Sequence, residues 1–289
     1  MIADFGEEQL PSNEQRRQAA KRKLERQLAH RAERAKRRRT IAVTATIVVV
    51  VAVVAGVFYF ARTGGSETKA AAQQPGSTKK PDITIPSTTA PPPSRPTPLP
   101  DPVSCKYRPN GEPAKPVQPP ADGKVSSTGT VQATIDTNLG NIPITLDRAL
   151  APCTVNSFVH LAEQGFYDNT SCHRLSTQGL QMLQCGDPTG KGTGGPGYAF
   201  DDETFPQLKY GRGYLAMANS GPDTNGSQFF MVYGTAKLPP NYTVFGTISE
   251  EGLKVVDEVA RAGHDGAFKR AGGGHPNKKI TFKQVTVKA

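Results

Sequence analysis

Across its 289 residues the chain carries 35 Lys and Arg against 25 Asp and Glu, a formal net charge of +10, with four Cys and no Trp. Residues 1–40 hold 12 of the basic and 6 of the acidic side chains, so this short segment supplies six of the ten net charges and the remainder is only mildly basic. The basic run abuts an apolar segment and has no interleaved aromatics, which argues against nucleic-acid binding.

Taken in chain order, Ser12 and Gln15 have the S-x-x-Q spacing of a capping box, and the Ala-, Lys-, Arg- and Glu-rich stretch to residue 39 predicts a helix. Its polarity is nearly all-round, with only Leu24 and Leu28 as a thin apolar stripe, so it reads as a solvated cytoplasmic segment near anionic headgroups. Ile41 to Ala61 is a 21-residue run without charge, long enough to cross a hydrocarbon core of about 30 Å. Lys36 to Arg39 flank one end and only Arg62 the other, which predicts a cytoplasmic N-terminus and everything after Arg62 outside the cell membrane. A cleaved signal peptide has a shorter core that ends in small residues, whereas this one ends in Val57, Phe58, Tyr59 and Phe60. Residues 62–128 are dense in Pro, Ser and Thr, including Pro91, Pro92, Pro93, Pro96, Pro98 and Pro100, and read as a disordered extracytoplasmic stalk in extended geometry. Cys105 and Tyr107 interrupt it, and a disordered stalk gives an isolated cysteine no packing role.

From residue 129 to 289 the composition becomes that of a folded domain. Val131, Ala133 and Ile135, then Ile142, Ile144 and Leu146, alternate around the turn residues Asn138 to Asn141, which predicts a β-hairpin. Pro152, with Val155, Phe158, Val159 and Ala162 at helical spacing and Gly165 as a stop, predicts a helix. A second begins near Ser249, with Val255, Val256 and Val259 inward and Gly263 at its end, and Lys279 to Val287 predicts a last strand. Many short strands with two helices point to a mostly β fold, an antiparallel barrel with helical covers.

The five His residues have no zinc-like spacing among themselves or with Cys, so no metal is expected. Gly190 to Gly195 lacks the spacing of a phosphate loop, and no cofactor is implied. The distinctive stretch is Met217 to Phe230, reading MANSGPDTNGSQFF; before it stand Cys172-His173-Arg174-Leu175 and Gln184-Cys185-Gly186-Asp187-Pro188, and after it Tyr242-Thr243-Val244-Phe245-Gly246. With Gly192 to Gly195 these segments, in this order, closely resemble the cyclophilin-type peptidyl-prolyl cis-trans isomerases over residues 129–289. The resemblance implies a closed eight-stranded antiparallel β-barrel capped by two helices. It also implies Arg174 as the catalytic cation with Gln184 beside it; Met182, Phe230 and Leu238 around the proline ring; backbone groups of Asn219 on the substrate chain; and Ala218, Ser220 and Gln228 lining a neighbouring subsite. Proline-containing peptides are the substrates so implied.

Three departures affect the pocket rim. Nine residues separate Arg174 from Gln184, two more than usual in the family, and the usual Phe before the Met is replaced by Gln181 or displaced to Leu180. Lys237 stands near Leu238 where many members have Trp, which predicts weak binding of the cyclic peptide cyclosporin, and Tyr242 stands at the position of a common His. An even number of cysteines outside the cytoplasm favours pairing; a hairpin centred on Gln178-Gly179 sets Cys172 opposite Cys185, which leaves Cys105 with Cys153. Two functions follow as expectations: an isomerase acting on extracytoplasmic proteins, or a non-catalytic proline-binding module tethered to the membrane, and retention of Arg174 favours the first.

Overall fold

The computed structural model describes residues 83–268 and 271–288. The expected cytoplasmic helix and the Ile41 to Ala61 span lie outside these residues, and among the described residues no helix is long and apolar enough to cross a membrane.

Three short strands, β1 (Val103–Cys105), β2 (Arg108–Pro109) and β3 (Gly123–Val125), precede the domain, and β1 pairs with β3. The expected hairpin follows as β4 (Thr130–Thr137) and β5 (Gly140–Asp147). Its alternation buries Val131, Ala133, Ile135, Ile142, Ile144 and Leu146 on one face. The turn is closed by Thr137, whose hydroxyl donates to the Gly140 carbonyl at 2.6 Å and accepts from the Leu139 amide at 3.0 Å.

Helix α1 (Pro152–Glu163) starts at the predicted proline but has no cap from its own flank. The carboxylate of Glu203 replaces it, accepting from the Cys153 and Thr154 amides at 3.0 and 2.8 Å and from the Thr154 hydroxyl at 2.7 Å. Val155, Phe158 and Ala162 are buried as predicted, while Val159 is only half-buried and Leu161 is fully buried. Five strands follow: β6 (Arg174–Ser176), β7 (Leu180–Cys185), β8 (Tyr198–Ala199), β9 (Tyr214–Met217) and β10 (Phe229–Ala236). The chain ends with β11 (Val244–Ile248), helix α2 (Glu250–Ala262) and β12 (Phe282–Lys288). Ser249 caps α2 by accepting from the Gly252 amide at 3.0 Å, and Gly263 ends it at φ 74°.

The main sheet has eight strands in the order β12-β4-β5-β11-β9-β10-β7-β6. The expected closed barrel is therefore corrected to an open, curled half-barrel. Its edge strands β6 and β12 do not pair as strands; the chain ahead of each meets the other through the bridge Ser171 to Thr281, and the Val285 amide of β12 donates to Asp168 at 3.3 Å. Inside the curl, Phe158 stacks on Tyr167 at 5.0 Å and meets Phe229 edge-on at 5.5 Å, while Phe229 stacks on Phe282 at 6.2 Å. This aromatic core joins α1 to β10 and to the edge strand β12. On the other side, the buried Arg212 to Asp257 ion pair, at 2.7 and 2.9 Å, ties α2 to the sheet.

The disordered stalk expected over residues 62–128 is corrected for residues 83–128, which lie along the domain as an arm; residues 62–82 lie outside the described residues. Proline carbonyls and the few amides of the arm find partners on the domain, so the absence of regular ladders does not leave the backbone unsatisfied. Gln181 donates to the Thr84 carbonyl at 3.0 Å, the Ala90 amide to Arg212 at 3.0 Å, and the Tyr214 hydroxyl to the Pro91 carbonyl at 2.5 Å. Arg95 donates to the carbonyls of Leu150 and Glu203 at 2.8 and 2.7 Å and lies over the Phe205 ring at 5.2 Å. Tyr107 is buried edge-on against Tyr198 and Phe200 at 5.6 and 5.7 Å, and Cys105 is bonded to Cys153 of α1. Beyond Tyr107, β2 pairs with β8. The two residues that seemed out of place in a stalk are its anchors.

Candidate active site

The site is built on one row of the sheet. Arg174 of β6 pairs across to Gln184 of β7, Gln184 to Phe230 of β10, and Phe230 to Ala216 of β9. Strand period then decides which β7 residues face the same cavity. Leu180, Met182 and Gln184 line it; Gln181 points the other way, accepting from the Thr235 amide at 2.7 Å. The apolar residue ahead of Met182 is thus Leu180, displaced by one position. Gly234 makes this possible, since a Cβ there would lie 2.0 Å from the Gln181 amide oxygen.

Both expected disulfides are present, Cys172 to Cys185 and Cys105 to Cys153. The register expected for the first needs correction. Arg174↔Gln184, Leu175↔Leu183 and Ser176↔Met182 centre the hairpin on Gly179, at φ 71°, one half-step from the expected Gln178-Gly179. Cys172 and Cys185 are therefore diagonal neighbours, with Cα atoms 4.0 Å apart.

Arg174 is half-buried, and three groups hold its guanidinium. Nη1 donates to the Gln184 side-chain oxygen at 3.3 Å, Nε to the Gly272 carbonyl at 3.1 Å, and Nη2 to the Ala271 carbonyl. Burial lowers its pKa and the nearby Tyr242 acts in the opposite direction; the guanidinium stays charged. The two backbone carbonyls come from a loop that docks on β6 through paired hydrogen bonds between Leu175 and Gly274, at 2.8 and 3.0 Å. Gly273 allows that approach: it sits at φ 83°, and a Cβ would lie 2.0 Å from the Leu175 carbonyl oxygen. The motif pattern drew no attention to this loop. Gly272-Gly273-Gly274 is the only signal that marked it.

Leu180, Met182, Phe230, Leu238 and Tyr242, with Arg174, Gln184, Ala218 and Asn219, line a cavity of about 140 Å³. Phe230 is nearly fully buried and meets Tyr242 edge-on at 5.8 Å. Tyr242 is itself fixed by Tyr210, whose hydroxyl donates to the Tyr242 carbonyl and accepts from its amide, both at 2.9 Å. Burial pushes the Tyr210 phenol up to about 12, so it remains a neutral donor; sequence reasoning missed it because it lies outside every motif segment. Lys237 is exposed beside Leu238. Asn219 braces the opposite loop, its side chain donating to the Asn241 carbonyl at 2.8 Å and accepting from the Gly221 amide at 3.3 Å.

Beyond Gln184 and Asn219 opens a second cavity of about 350 Å³, whose lining includes Ala218, Ser220 and Gln228. A hydrogen-bond chain joins the two cavities: Gln184 donates to Gln228 at 3.0 Å, and Gln228 to the Gly194 carbonyl at 2.9 Å. Asp187 holds the Gly-rich loop behind it. Its carboxylate accepts from the Thr189 amide and hydroxyl at 2.7 and 2.8 Å and from the Gly192 and Thr193 amides at 2.6 and 3.0 Å. Burial raises the Asp187 pKa, but these hydrogen bonds outweigh it and the carboxyl lies below its ordinary value. His173, next to Arg174, is buried, and desolvation lowers its pKa, so the ring is a neutral neighbour.

Residues 132–287 match the family described as cyclophilin type peptidyl-prolyl cis-trans isomerase/CLD. A probable peptidyl-prolyl cis-trans isomerase B of Mycobacterium tuberculosis is 50% identical over 294 residues, covering 96% of this chain and 93% of its own. Peptidyl-prolyl cis-trans isomerase B of Streptomyces anulatus is 49% identical over 146 residues, 44% of this chain and 82% of its own. A crystal structure of a cyclophilin-type isomerase from Cryptosporidium parvum is 32% identical, with a TM-score of 0.49, covering 56% of this chain and 99% of its own. With half of its residues within the family's bounds and a relative of 50% identity along nearly its whole length, the chain belongs to the cyclophilin-type peptidyl-prolyl cis-trans isomerases.

Proposed function

We propose that Arg174 drives prolyl isomerisation by hydrogen-bonding the prolyl nitrogen as the amide twists. Rotation about a peptide bond has a barrier of about 18 to 20 kcal/mol because the nitrogen lone pair is shared with the carbonyl. A donor that engages that lone pair only when the nitrogen pyramidalises stabilises the transition state over both planar ground states. The observation that carries the proposal is the guanidinium's hydrogen-bond inventory. Among the described residues, three of its five N–H groups are taken by Gln184, Ala271 and Gly272, which leaves two beside the cavity. Leu180, Met182, Phe230 and Leu238 hold the proline ring, and backbone groups of Asn219 hold the peptide. No nucleophile is needed. A protease-coupled assay on short X-Pro peptides with Arg174→Ala and Arg174→Lys tests this; equal rates in all three proteins would remove Arg174 from the mechanism.

We further propose that the enzyme is anchored by Ile41 to Ala61, with its N-terminus in the cytoplasm and its catalytic domain outside. The 21-residue uncharged run, its basic flank and two disulfides in one domain support this reading. Protease added to spheroplasts should then remove the domain and spare residues 1–40; a protected domain would overturn it. The exposed Lys237 supports weak cyclosporin binding, to be tightened by Lys237→Trp, and a tight complex with the wild type would contradict it.

A further inference from the structure

The second cavity has a wall that does not come from the barrel. Besides Ala218, Ser220 and Gln228, it is lined by Asn110, Gly111 and Glu112 of the arm. These residues are placed by a built contact. Strand β2 pairs with β8 just before them, the Asn110 amide donates to the Gly197 carbonyl at 2.8 Å, and the Ala114 amide to Gly195 at 2.8 Å. Arg108 adds an ion pair to Asp201 at 2.5 Å and a hydrogen bond to the Asp223 carbonyl at 3.1 Å. Upstream, the Cys105 to Cys153 bond at the end of β1 and the buried Tyr107 fix the arm to the body of the domain.

The chemistry of this wall is one-sided. Among the described lining residues only Glu112 and Tyr198 ionise; Tyr198 is buried, with its phenol shifted upward by desolvation and therefore neutral, so Glu112 supplies the one formal charge. The rest of the lining is amide, hydroxyl and glycine. Gln184, Ala218 and Asn219 line both this cavity and the proline pocket, so a peptide seated by its proline places a neighbouring side chain here.

We infer that the disulfide-anchored arm is a specificity element of the isomerase: it completes a subsite for a residue flanking the proline, and Glu112 selects Lys or Arg there. The inference rests on the proline-pocket assignment above and adds the substrate class that the adjoining cavity prefers. Glu112 is exposed, so its attraction is that of a solvent-accessible ion pair, modest and sensitive to salt.

The test uses the full-length chain and two peptide series around one Ala-Pro unit, with Lys or its neutral isostere norleucine placed in turn at each flanking position. At one position the wild type should turn over the Lys peptide about threefold faster, as kcat/KM, at low ionic strength. Glu112→Gln should bring that ratio to one, Glu112→Lys should invert it, and high salt should shrink it in the wild type alone. Cys105→Ser with Cys153→Ser should weaken the preference by releasing the wall. A ratio of one at every position, or the same ratio in wild type and Glu112→Gln, overturns the proposal. Failure to accelerate either peptide would overturn the isomerase reading itself, and the subsite with it.

Discussion

The proline pocket and the arm are held by opposite means. Leu180, Met182, Gln184 and Phe230 of the pocket stand on β7 and β10, each paired with a strand on both sides and backed by the aromatic core, so no single contact decides its shape. The arm is held by discrete fasteners: one disulfide, a buried Tyr, two Arg and the two-residue strand β2. Cooperative packing resists single changes, whereas a fastened segment depends on each fastener. The pocket should therefore lose chemistry without losing shape, and the arm should lose its place without disturbing the chemistry.

The largest effect should come from the arm's covalent tie. Removing the Cys105 to Cys153 bond, which spans 48 residues of sequence, should destabilise the docked arm by about 2–4 kcal/mol. Protease cleavage within residues 83–128 should then accelerate strongly, with a far smaller change in turnover of a short Ala-Pro peptide. Loss of both together would show that arm and pocket are one unit. Arg174→Ala should slow isomerisation by about 10- to 100-fold, the loss of a hydrogen bond from a charged donor. Thermal denaturation of that variant should stay close to wild type; a large drop would mean that the guanidinium is structural. Arg174→Lys should recover little, since an ammonium lacks the planar fork.

A smaller effect tests how the loop positions Arg174. Gly273→Ala forces a Cβ onto the Leu175 carbonyl in a backbone conformation disfavoured for L residues, so the Ala271 and Gly272 carbonyls should shift off the guanidinium. Turnover should fall about fivefold while the affinity of a bound proline peptide changes little. A rate equal to wild type would show that Gln184 alone suffices to orient Arg174. The smallest effect concerns pH. Asp187 has a depressed pKa, so its contribution to the loop is fully present above its unfolded value of about 3.9 and is lost as pH falls through the lower folded one. Hydrogen exchange at Gly192 and Thr193 should quicken below about pH 4 in the wild type, and Asp187→Asn should abolish that pH dependence. The same profile in both proteins would dismiss Asp187 as the cause.

Reading the chain alone captures the pocket better than the arm for the same physical reason. Arg174, Gln184, Met182 and Phe230 were legible through the resemblance of the motifs that carry them, and they lie on the neighbouring strands β6, β7 and β10, where period-two spacing keeps a residue's face. Even there, Gln181 and Leu180 could be told apart only once the hairpin register was fixed, because a half-step shift at Gly179 decides the face. The arm has no periodicity: its proline density describes local geometry and says nothing of what its carbonyls bond to. Barrel closure was illegible too, because it depends on whether β6 and β12 meet, and nothing local to either strand records that. Cys105 and Tyr107 were the legible clue, as two residues with no use in solvent.

The docking of Gly274 on Leu175 has a further consequence for an enzyme that acts on proline-containing peptides. Strand β6 is a sheet edge of only three residues, and Gly274 already occupies the amide and carbonyl of Leu175 at its middle. An extended client arriving beside Arg174 finds no open ladder on which to add as a further strand. A proline-containing segment can thus sit next to this β-edge without meeting a template for strand addition.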